Sequence, residues 1–458
     1  MKTLIKQSPR QLFNSLFTFA SQESWFKARE ITEELTNRGA SGLWLDLAYD
    51  LADGLKKIIK VSDNIFVLND KILEPQERII LEEACYWVTE RLQLEIPILL
   101  IEISPEGTPI HAITGIDGLG YIAASRSSLN DKSLVIHEIT HCVLMSRSLF
   151  LDEGLATLFQ HQVNNKNVST EPEYWDRPSL AALVEMDWSN DPYFLKIIPN
   201  KNDSGDPLKI DLRVHLLAAT VVDRIIQKNS LSQLVEAFQK IKPQLREGRT
   251  SAVVKELFSL DLWELDAEII KNSSLLVKPP TNDSITEIAT KILAEDNIEA
   301  AKLWLPIARI NAFEDINVLI ALIKILIVLG NTRKKPAEGL PYRTEALVAM
   351  NWLESKSNRN DELDIFKAYK FVFKLRNAGH AIELRSIGVQ ASNAFKDLLL
   401  KYPENPQVIL ASAKAQIRTE YDMISESEWT EKLKIVQVIP LFKNAIRILL
   451  EEHTRFTI

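Results

Sequence analysis

The sequence contains little glycine and almost no cysteine. Glycine accounts for 14 of the 458 residues, which is roughly half of its usual share of about 7%. A chain with few glycines and many leucine, isoleucine, alanine, glutamate and lysine residues favours a mostly helical fold. The two cysteines, Cys85 and Cys142, exclude a disulfide framework and a zinc cluster built on thiolates, and they are typical of a reducing compartment.

An excess of positive charge and a long apolar run are also missing. The formal net charge is −8, whereas a general nucleic-acid binder needs a basic face, so we expect no nucleic-acid partner. The most apolar segment, residues 316–330, is short and contains Lys324, which indicates a buried helix rather than a membrane span. The first residues do not resemble a signal peptide, because Lys6, Gln7 and Arg10 interrupt their apolar stretches. We therefore expect a soluble, cytoplasmic protein with no membrane partner.

The length and the changing texture of the sequence predict several domains. A chain of 458 residues exceeds what one hydrophobic core usually serves. Residues 1–60 show helical patterning, residues 61–278 mix helices with strand-like stretches, and residues 279–458 show only helical periods after a polar, proline-containing linker. The sequence thus predicts an α+β, predominantly helical protein. A domain with a small sheet would be followed by an all-helical C-terminal domain.

The middle segment contains three strand-like stretches around two helices. The stretches are residues 64–70, 95–104 and 118–125, which are apolar and flanked by Pro, Gly, Asn or Asp. An amphipathic helix opens at Pro75, and a second helix is predicted from about residue 131 to 147.

The C-terminal segment contains a helix, a proline-bounded turn and a second helix at residues 394–417. This joint resembles a tetratricopeptide-type repeat, although no clean 34-residue period is present. Because helical arrays offer extended concave surfaces, the C-terminal domain is expected either to recruit a substrate or protein partner or to serve as a purely structural extension.

Two of the seven histidines lie four residues apart in the stretch HEITH. Residues i and i+4 of a helix share one face, so His137 and His141 can bind one metal ion. Glu138 is turned by about 100° around the helix axis, where it can reach a water molecule at the metal without being a ligand. Such a pattern arises by chance in roughly one chain in a hundred of this length. The alternative is a helix with two partly exposed histidines.

A zinc site needs a third protein ligand and an open position for water. Leu144 and Arg147 stand where the metzincin pattern requires glycine and histidine, so that class is excluded. Glu153 lies twelve residues after the second histidine, near the start of the next predicted helix. It completes a His, His, Glu set that predicts one zinc ion per chain. Asp152 and His161 remain alternatives for the third ligand.

The two halves of this pattern, residues 137–141 and 151–156, resemble the gluzincin metallopeptidases. That group includes the thermolysin-like and aminopeptidase-N-like families and related peptidase-MA-like domains. The resemblance is specific over residues 134–157 and loose over residues 61–275. Residues 111–133 contain no glutamate, whereas the aminopeptidases carry a glutamate before the zinc helix that holds the substrate's free amine. The resemblance therefore implies an endopeptidase rather than an aminopeptidase.

The resemblance also implies a role for each residue of the motif. The zinc ligands would be His137, His141 and Glu153, and Glu138 would be the general base. The strand at residues 118–125 would be the edge strand that pairs with an extended substrate.

Gluzincins commonly place a histidine or tyrosine that stabilises the oxyanion on a helix downstream of the ligand glutamate. His215 is the candidate here, since it falls on the apolar face of the helix predicted at residues 212–228. Asp211 lies one turn before it and is expected to hold the imidazole in a donating tautomer. Tyr193 and Tyr174 are the substitutes. A buried histidine satisfied by Asp211 alone is the structural alternative.

Together these patterns predict a zinc-dependent peptidase that acts on a peptide or protein substrate. Two other functions stay open. One is a helical binding or scaffold protein with a regulatory or inactive zincin-like module, and the other is a zinc hydrolase acting on a non-peptide bond. The intact Glu138 favours an enzyme, because an inactive module would not need a general base.

Overall fold

The computed structural model describes most of the chain, namely residues 7–40, 42–68, 71–116, 118–144, 148–168, 178–185, 213–240, 249–271, 284–312, 314–331, 339–356, 360–377, 381–416 and 447. Within these residues the fold is predominantly helical, with 19 helices and one five-stranded mixed sheet.

The chain forms two compact units. Unit 1 comprises Met1–Thr170 and Leu212–Lys242, and unit 2 comprises Glu171–Asp211 and Pro243–Ile458. The three segments predicted from the sequence stay a prediction about domain organisation. The contacts group the N-terminal helices with the sheet and the helices after residue 243 with the C-terminal helices.

The described part of unit 1 has nine helices and all five strands. In chain order these are α1 (Pro9–Ser21), α2 (Trp25–Asn37), α3 (Leu43–Ala52), β1 (Ile58–Lys60), β2 (Ile65–Leu68), α4 (Pro75–Leu92), β3 (Ile98–Ile103), β4 (His111–Ile116), β5 (Leu119–Ala124), α5 (Arg126–Leu129), α6 (Lys132–Val143), α7 (Leu149–Val163), α9 (Arg213–Lys228) and α10 (Leu231–Lys240). Helix α8 (Leu180–Leu183) belongs to unit 2. The strand predictions at 64–70, 95–104 and 118–125 are confirmed as β2, β3 and β5.

The strands lie in the order β1-β2-β3-β5-β4. The two central pairs, β2 with β3 and β3 with β5, are parallel, and the two outer pairs are antiparallel. β5 therefore has neighbours on both sides, and the prediction that residues 118–125 form the edge strand is wrong. The edge next to β5 is β4, which forms a hairpin with β5 through Gly118, whose φ of +73° suits glycine.

Helices α1 to α3 cover one face of the sheet. Phe13 and Phe17 of α1 lie in a buried cluster with Trp44 of α3 and with Phe66 and Leu100 of the sheet. Ring centroids are 5.6 Å apart for Phe13 and Trp44 and 5.4 Å apart for Phe17 and Phe66, both edge to face. Burial of these large side chains anchors the N-terminal helices to the sheet.

Helix α6 lies on the opposite face, against β4 and β5. A Cβ atom on Gly120 of β5 would lie 2.0 Å from Sγ of Cys142, so only glycine lets this helix approach so closely. Cys142 is fully buried in this contact.

Local capping explains where the helices begin. Ser8 and Gln11 form a capping box at the start of α1, with Pro9 in the first helical position. At the start of α6, the Asp131 carboxylate accepts hydrogen bonds from the backbone N–H groups of Ser133 and Leu134.

The described part of unit 2 is all helical. Its helices are α8 (Leu180–Leu183), α11 (Arg249–Phe258), α12 (Leu262–Lys271), α13 (Ile285–Glu295), α14 (Ile298–Ala312), α15 (Ile316–Gly330), α16 (Leu340–Lys356), α17 (Asn360–Asn377), α18 (Ala381–Lys401) and α19 (Pro406–Gln416). The predicted helix–turn–helix at 394–417 corresponds to α18 and α19, which pack on each other.

Two features of unit 2 bear on earlier expectations. The apolar segment 316–330 is helix α15, whose 15 residues are fewer than the roughly 20 that cross a bilayer. Among the described helices, none has the length and apolar character of a membrane span. In the core of the unit, Arg309 and Glu345 form a buried ion pair, with Nη2 and Oε2 2.5 Å apart.

Candidate metal centre

The two histidines of HEITH lie on helix α6 and are largely buried. Val135, Ile136 and Ile139 are fully buried and fix the rotation of the helix about its axis. His137 and His141 then lie side by side, with their side chains 14% and 12% exposed. The helix ends at Val143, before the predicted end near residue 147. Residues 145–147 lie outside the described part of the chain.

Helix α7 brings a carboxylate to the two imidazoles. It begins at Leu149 and packs against α6. The Oε2 atom of Glu153 lies 3.2 Å from Nε2 of His137 and 3.6 Å from Nε2 of His141. The two Nε2 atoms lie 3.2 Å from each other. Three potential ligand atoms from two helices thus converge within 4.8 Å.

These separations fit a zinc ion. Bonds of about 2.0–2.1 Å in a tetrahedral arrangement place two ligand atoms about 3.3 Å apart. The three separations of 3.2, 3.2 and 3.6 Å lie around this value. Imidazole nitrogens with one carboxylate oxygen are also a donor set that zinc accepts, with a fourth position open to water.

Asp152 lies beside this set and contacts the outer nitrogen of His141. Its Oδ2 atom is 3.1 Å from Nδ1 of His141. The other ring nitrogen, Nε2, therefore faces His137 and Glu153. A carboxylate that holds the far nitrogen of a histidine fixes its tautomer and orientation, as it does in many metal sites. This geometry assigns Asp152 a supporting position rather than the alternative ligand position considered from the sequence.

The charges within the cluster shift the pKa values of its members. Burial works to lower the pKa of His141, but the carboxylates of Glu153 and Asp152 outweigh it and hold this pKa well above its usual value. Burial works to raise the pKa of Glu153, but His141 and hydrogen bonds from both histidines hold it well below its usual value. Either a proton on His141 or a metal cation can thus neutralise the negative charge of these carboxylates.

Glu138 follows His137 on α6 and does not belong to the metal-ligating group. The residue is 8% exposed, and its carboxylate makes no hydrogen bond to the described residues. A buried carboxylate without a hydrogen-bond donor is available to accept a proton from a neighbouring molecule.

Helix α9 brings His215 to the same cluster. Its Nε2 atom lies 3.9 Å from Oε2 of Glu153, and its side chain is 16% exposed. The two helices approach closely because Gly154 of α7 faces the backbone of α9. A Cβ atom at Gly154 would lie 2.6 Å from the carbonyl oxygen of Ala218. His215 therefore lies beside the three potential ligands and is not one of them.

Several other residues considered from the sequence are not part of the described cluster. Asp211, Tyr174 and Tyr193 fall outside the described residues. His161 lies in the last turn of α7 and does not belong to the metal-ligating group. The hydroxyl of Thr157, one turn after Glu153 on α7, is buried and has no hydrogen-bond partner in the described part of the chain.

Comparison of the chain with protein-family models, with curated proteins and with solved structures found no match.

Proposed function

We propose that this protein is a zinc-dependent peptidase of the gluzincin type, with one zinc ion held by His137, His141 and Glu153. The observation that carries the proposal is the convergence of their three ligand atoms within 4.8 Å. Two of the ligands are four residues apart on one helix and the third lies on the next helix, which is the arrangement that the resemblance implies. The buried Glu138 beside them supplies the general base that a purely structural zinc site would not need.

Each residue around the site has a separate role in the proposed reaction. When bound, a zinc ion lowers the pKa of a water molecule to about 7 and polarises a carbonyl group. Glu138 takes the proton that the attacking water loses and passes it to the leaving amine. His215, next to Glu153, donates a hydrogen bond to the oxyanion that develops on the substrate carbonyl. Asp152 keeps the imidazole of His141 in its ligand orientation.

An extended peptide is the substrate that the neighbouring sheet favours. Among the described strands β4 has one neighbour, β5, and β4 also contacts α6, which carries both histidines. An edge strand can pair with an extended peptide through backbone hydrogen bonds, which need no free terminus on the peptide. This supports an endopeptidase, with β4 in the role that the sequence had given to residues 118–125. The helices of unit 2 would then recruit a protein substrate or partner.

The test combines metal analysis with a matched pair of variants. We expect the full chain to retain zinc at a 1:1 ratio and to cleave generic peptides in a chelator-sensitive reaction. Glu138→Gln should retain zinc and lower kcat by on the order of 10²–10⁴-fold. Glu33→Gln makes the same chemical change on an exposed face of α2 and should not alter kcat. A protein without stoichiometric zinc, or equal rates for the two variants, would contradict the proposal and favour a binding or scaffold role.

A further inference from the structure

A cavity of about 340 Å³ lies on the face of the sheet opposite to α6, between α3 and strands β3, β4 and β5. The volume falls at the lower end of the range of about 300–1,000 Å³ that is typical of ligand pockets in proteins. Its lining includes Asp46 and Asp50 of α3, Glu102 of β3 and His111 of β4. None of these residues belongs to the metal centre.

The register of the sheet connects this cavity to the edge strand. Glu102 pairs with Ala123, and Ala123 pairs with His111, so the three residues form one row across β3, β5 and β4. Residues directly opposite each other in a sheet point to the same face. A peptide that pairs with the outer edge of β4 adds one more residue to this row. The side chain of that residue points to the face of the sheet where the cavity lies, while its two neighbours point to the face that carries α6.

The charges of the lining define which side chain fits. The cavity is lined by three carboxylates and one ammonium group. That ammonium, of Lys56, lies 3.3 Å from the Asp50 carboxylate and neutralises it. Asp46 is exposed and forms no ion pair within the described residues. Glu102 accepts a hydrogen bond from the hydroxyl of Tyr121 but has no cationic partner in the described part of the chain. Two carboxylates are therefore left for a cation.

The remaining lining is aromatic and apolar. Trp44 and Tyr121 both line the cavity, and aromatic rings favour a cation placed near them. Trp44 is 7% exposed, and its Nε1 has no hydrogen-bond partner among the described residues. Burial and the hydrogen bond to Glu102 raise the pKa of Tyr121, so its hydroxyl stays protonated and donates to the Glu102 carboxylate. The apolar lining suits the methylene stem of a long basic side chain.

We propose that this cavity is a specificity subsite that takes a lysine or arginine side chain of a peptide paired with β4. Asp46 and Glu102 would bind the cationic group, and the lining around Trp44 would hold the stem. The inference deepens the proposed function, since it names a class of substrate for the same peptidase.

The experiment measures binding apart from cleavage. The full chain with Glu138→Gln, loaded with zinc, is titrated into labelled peptides that are identical except for lysine or norleucine at one scanned position. Norleucine keeps the stem of lysine and lacks the ammonium group. At one position we expect the lysine peptide to bind about tenfold more tightly, because charge-assisted hydrogen bonds form in the cavity.

Variants of Asp46 and Glu102, with a control variant outside the cavity, identify where the preference arises. Asp46→Lys, added to the same background, should bring the ratio of the two affinities to within about twofold, as a reversed charge opposes the ligand. Glu102→Gln should lower the ratio in the same direction. Glu33→Lys reverses an exposed charge outside the cavity and should leave the tenfold ratio in place.

The outcomes test the proposed subsite and the proposed peptidase activity independently of each other. A lysine preference that Asp46→Lys abolishes supports the subsite. If the chain with Glu138 intact does not cleave these peptides, the peptidase is overturned while the subsite stands. Cleavage of both peptides with equal efficiency and no difference in affinity overturns the subsite and leaves the peptidase. A failure to bind either peptide, or a preference that Asp46→Lys does not change, also overturns the subsite.

Discussion

Replacing Gly154 with alanine should move α9 away from α7 and so separate His215 from Glu153. The added Cβ atom would lie 2.6 and 2.7 Å from the carbonyl oxygen and carbon of Ala218, and 2.8 Å from Cγ2 of Val222. Two of these three atoms belong to the backbone, so no side-chain rotation removes the contact. The helices themselves must move.

The size of the effect follows from the distances. The closest contact must lengthen by roughly 0.8 Å to reach the ordinary van der Waals range of a close-packed interior. Overpacking of this kind costs about 1–3 kcal/mol, and the better helix propensity of alanine offsets about 1 kcal/mol. We expect a net loss of up to about 2 kcal/mol in the free energy of unfolding of unit 1, or a Tm lower by up to about 8 °C. Since a misplacement near 1 Å can cost about 100-fold in rate, kcat should fall by about 10- to 100-fold.

The assay follows urea unfolding, zinc content and peptide cleavage of the same preparation. Zinc should remain bound, because all three ligands lie on α6 and α7. The double variant Gly154→Ala/Val222→Ala removes the Cγ2 contact but not the carbonyl contact, and it should therefore recover neither stability nor kcat. A Gly154→Ala variant with unchanged stability and kcat would refute the reasoning, because it would mean that α9 can accommodate the methyl group in place.

Substitutions at two further positions, Asp152 and Glu185, test the effects of buried carboxylates. Asp152→Ala removes the acceptor at Nδ1 of His141 and should weaken zinc binding by about 10- to 100-fold in a chelator competition; Asp152→Asn keeps an acceptor and should lose less, and equal affinities for both variants would show that the contact does not orient the histidine. Glu185 of unit 2 is buried, and burial raises its pKa from 4.5 to about 7 although it accepts a hydrogen bond from the Ser251 backbone. The folded state therefore holds a proton that the unfolded state has lost between these pH values, so stability falls as the pH rises from 4.5 to 7 and the loss is complete above 7. Glu185→Gln should remove this loss and gain up to roughly 3 kcal/mol relative to wild type between pH 5 and pH 8 in urea unfolding, whereas parallel pH profiles would contradict the assignment.

The local parts of the fold were predictable and the pairing of distant segments was not. β2, β3 and β5 are apolar runs long enough to be recognised, whereas β1 has three residues and β4 contains glycine and threonine among few large apolar residues. The position of β5 between β3 and β4 depends on non-local backbone pairing, which no single stretch of sequence encodes. This is why the edge strand was assigned to the wrong segment.

In the metal centre, too, the local features were predictable from the sequence and the contacts between helices were not. The relative positions of His137, Glu138 and His141 follow from the helical repeat alone. The role of Asp152 does not, because the nitrogen of His141 that it meets depends on how α7 crosses α6. The contact of Gly154 with α9 likewise appears only once α7 and α9 are packed together. The spacing of residues along the sequence therefore identifies candidate site residues. The packing of the helices determines which atoms of each residue contact its neighbours.

The order of the chain implies an order of assembly during folding. The three metal-ligating residues lie between residues 137 and 153, on two successive helices, whereas α9 follows only after the chain has contributed α8 to the other unit. Short loops close at a lower entropic cost and more rapidly than long ones. A refolding chain should therefore acquire its metal in an early kinetic phase and regain catalytic activity in a later one, when α9 docks and brings His215 to the site.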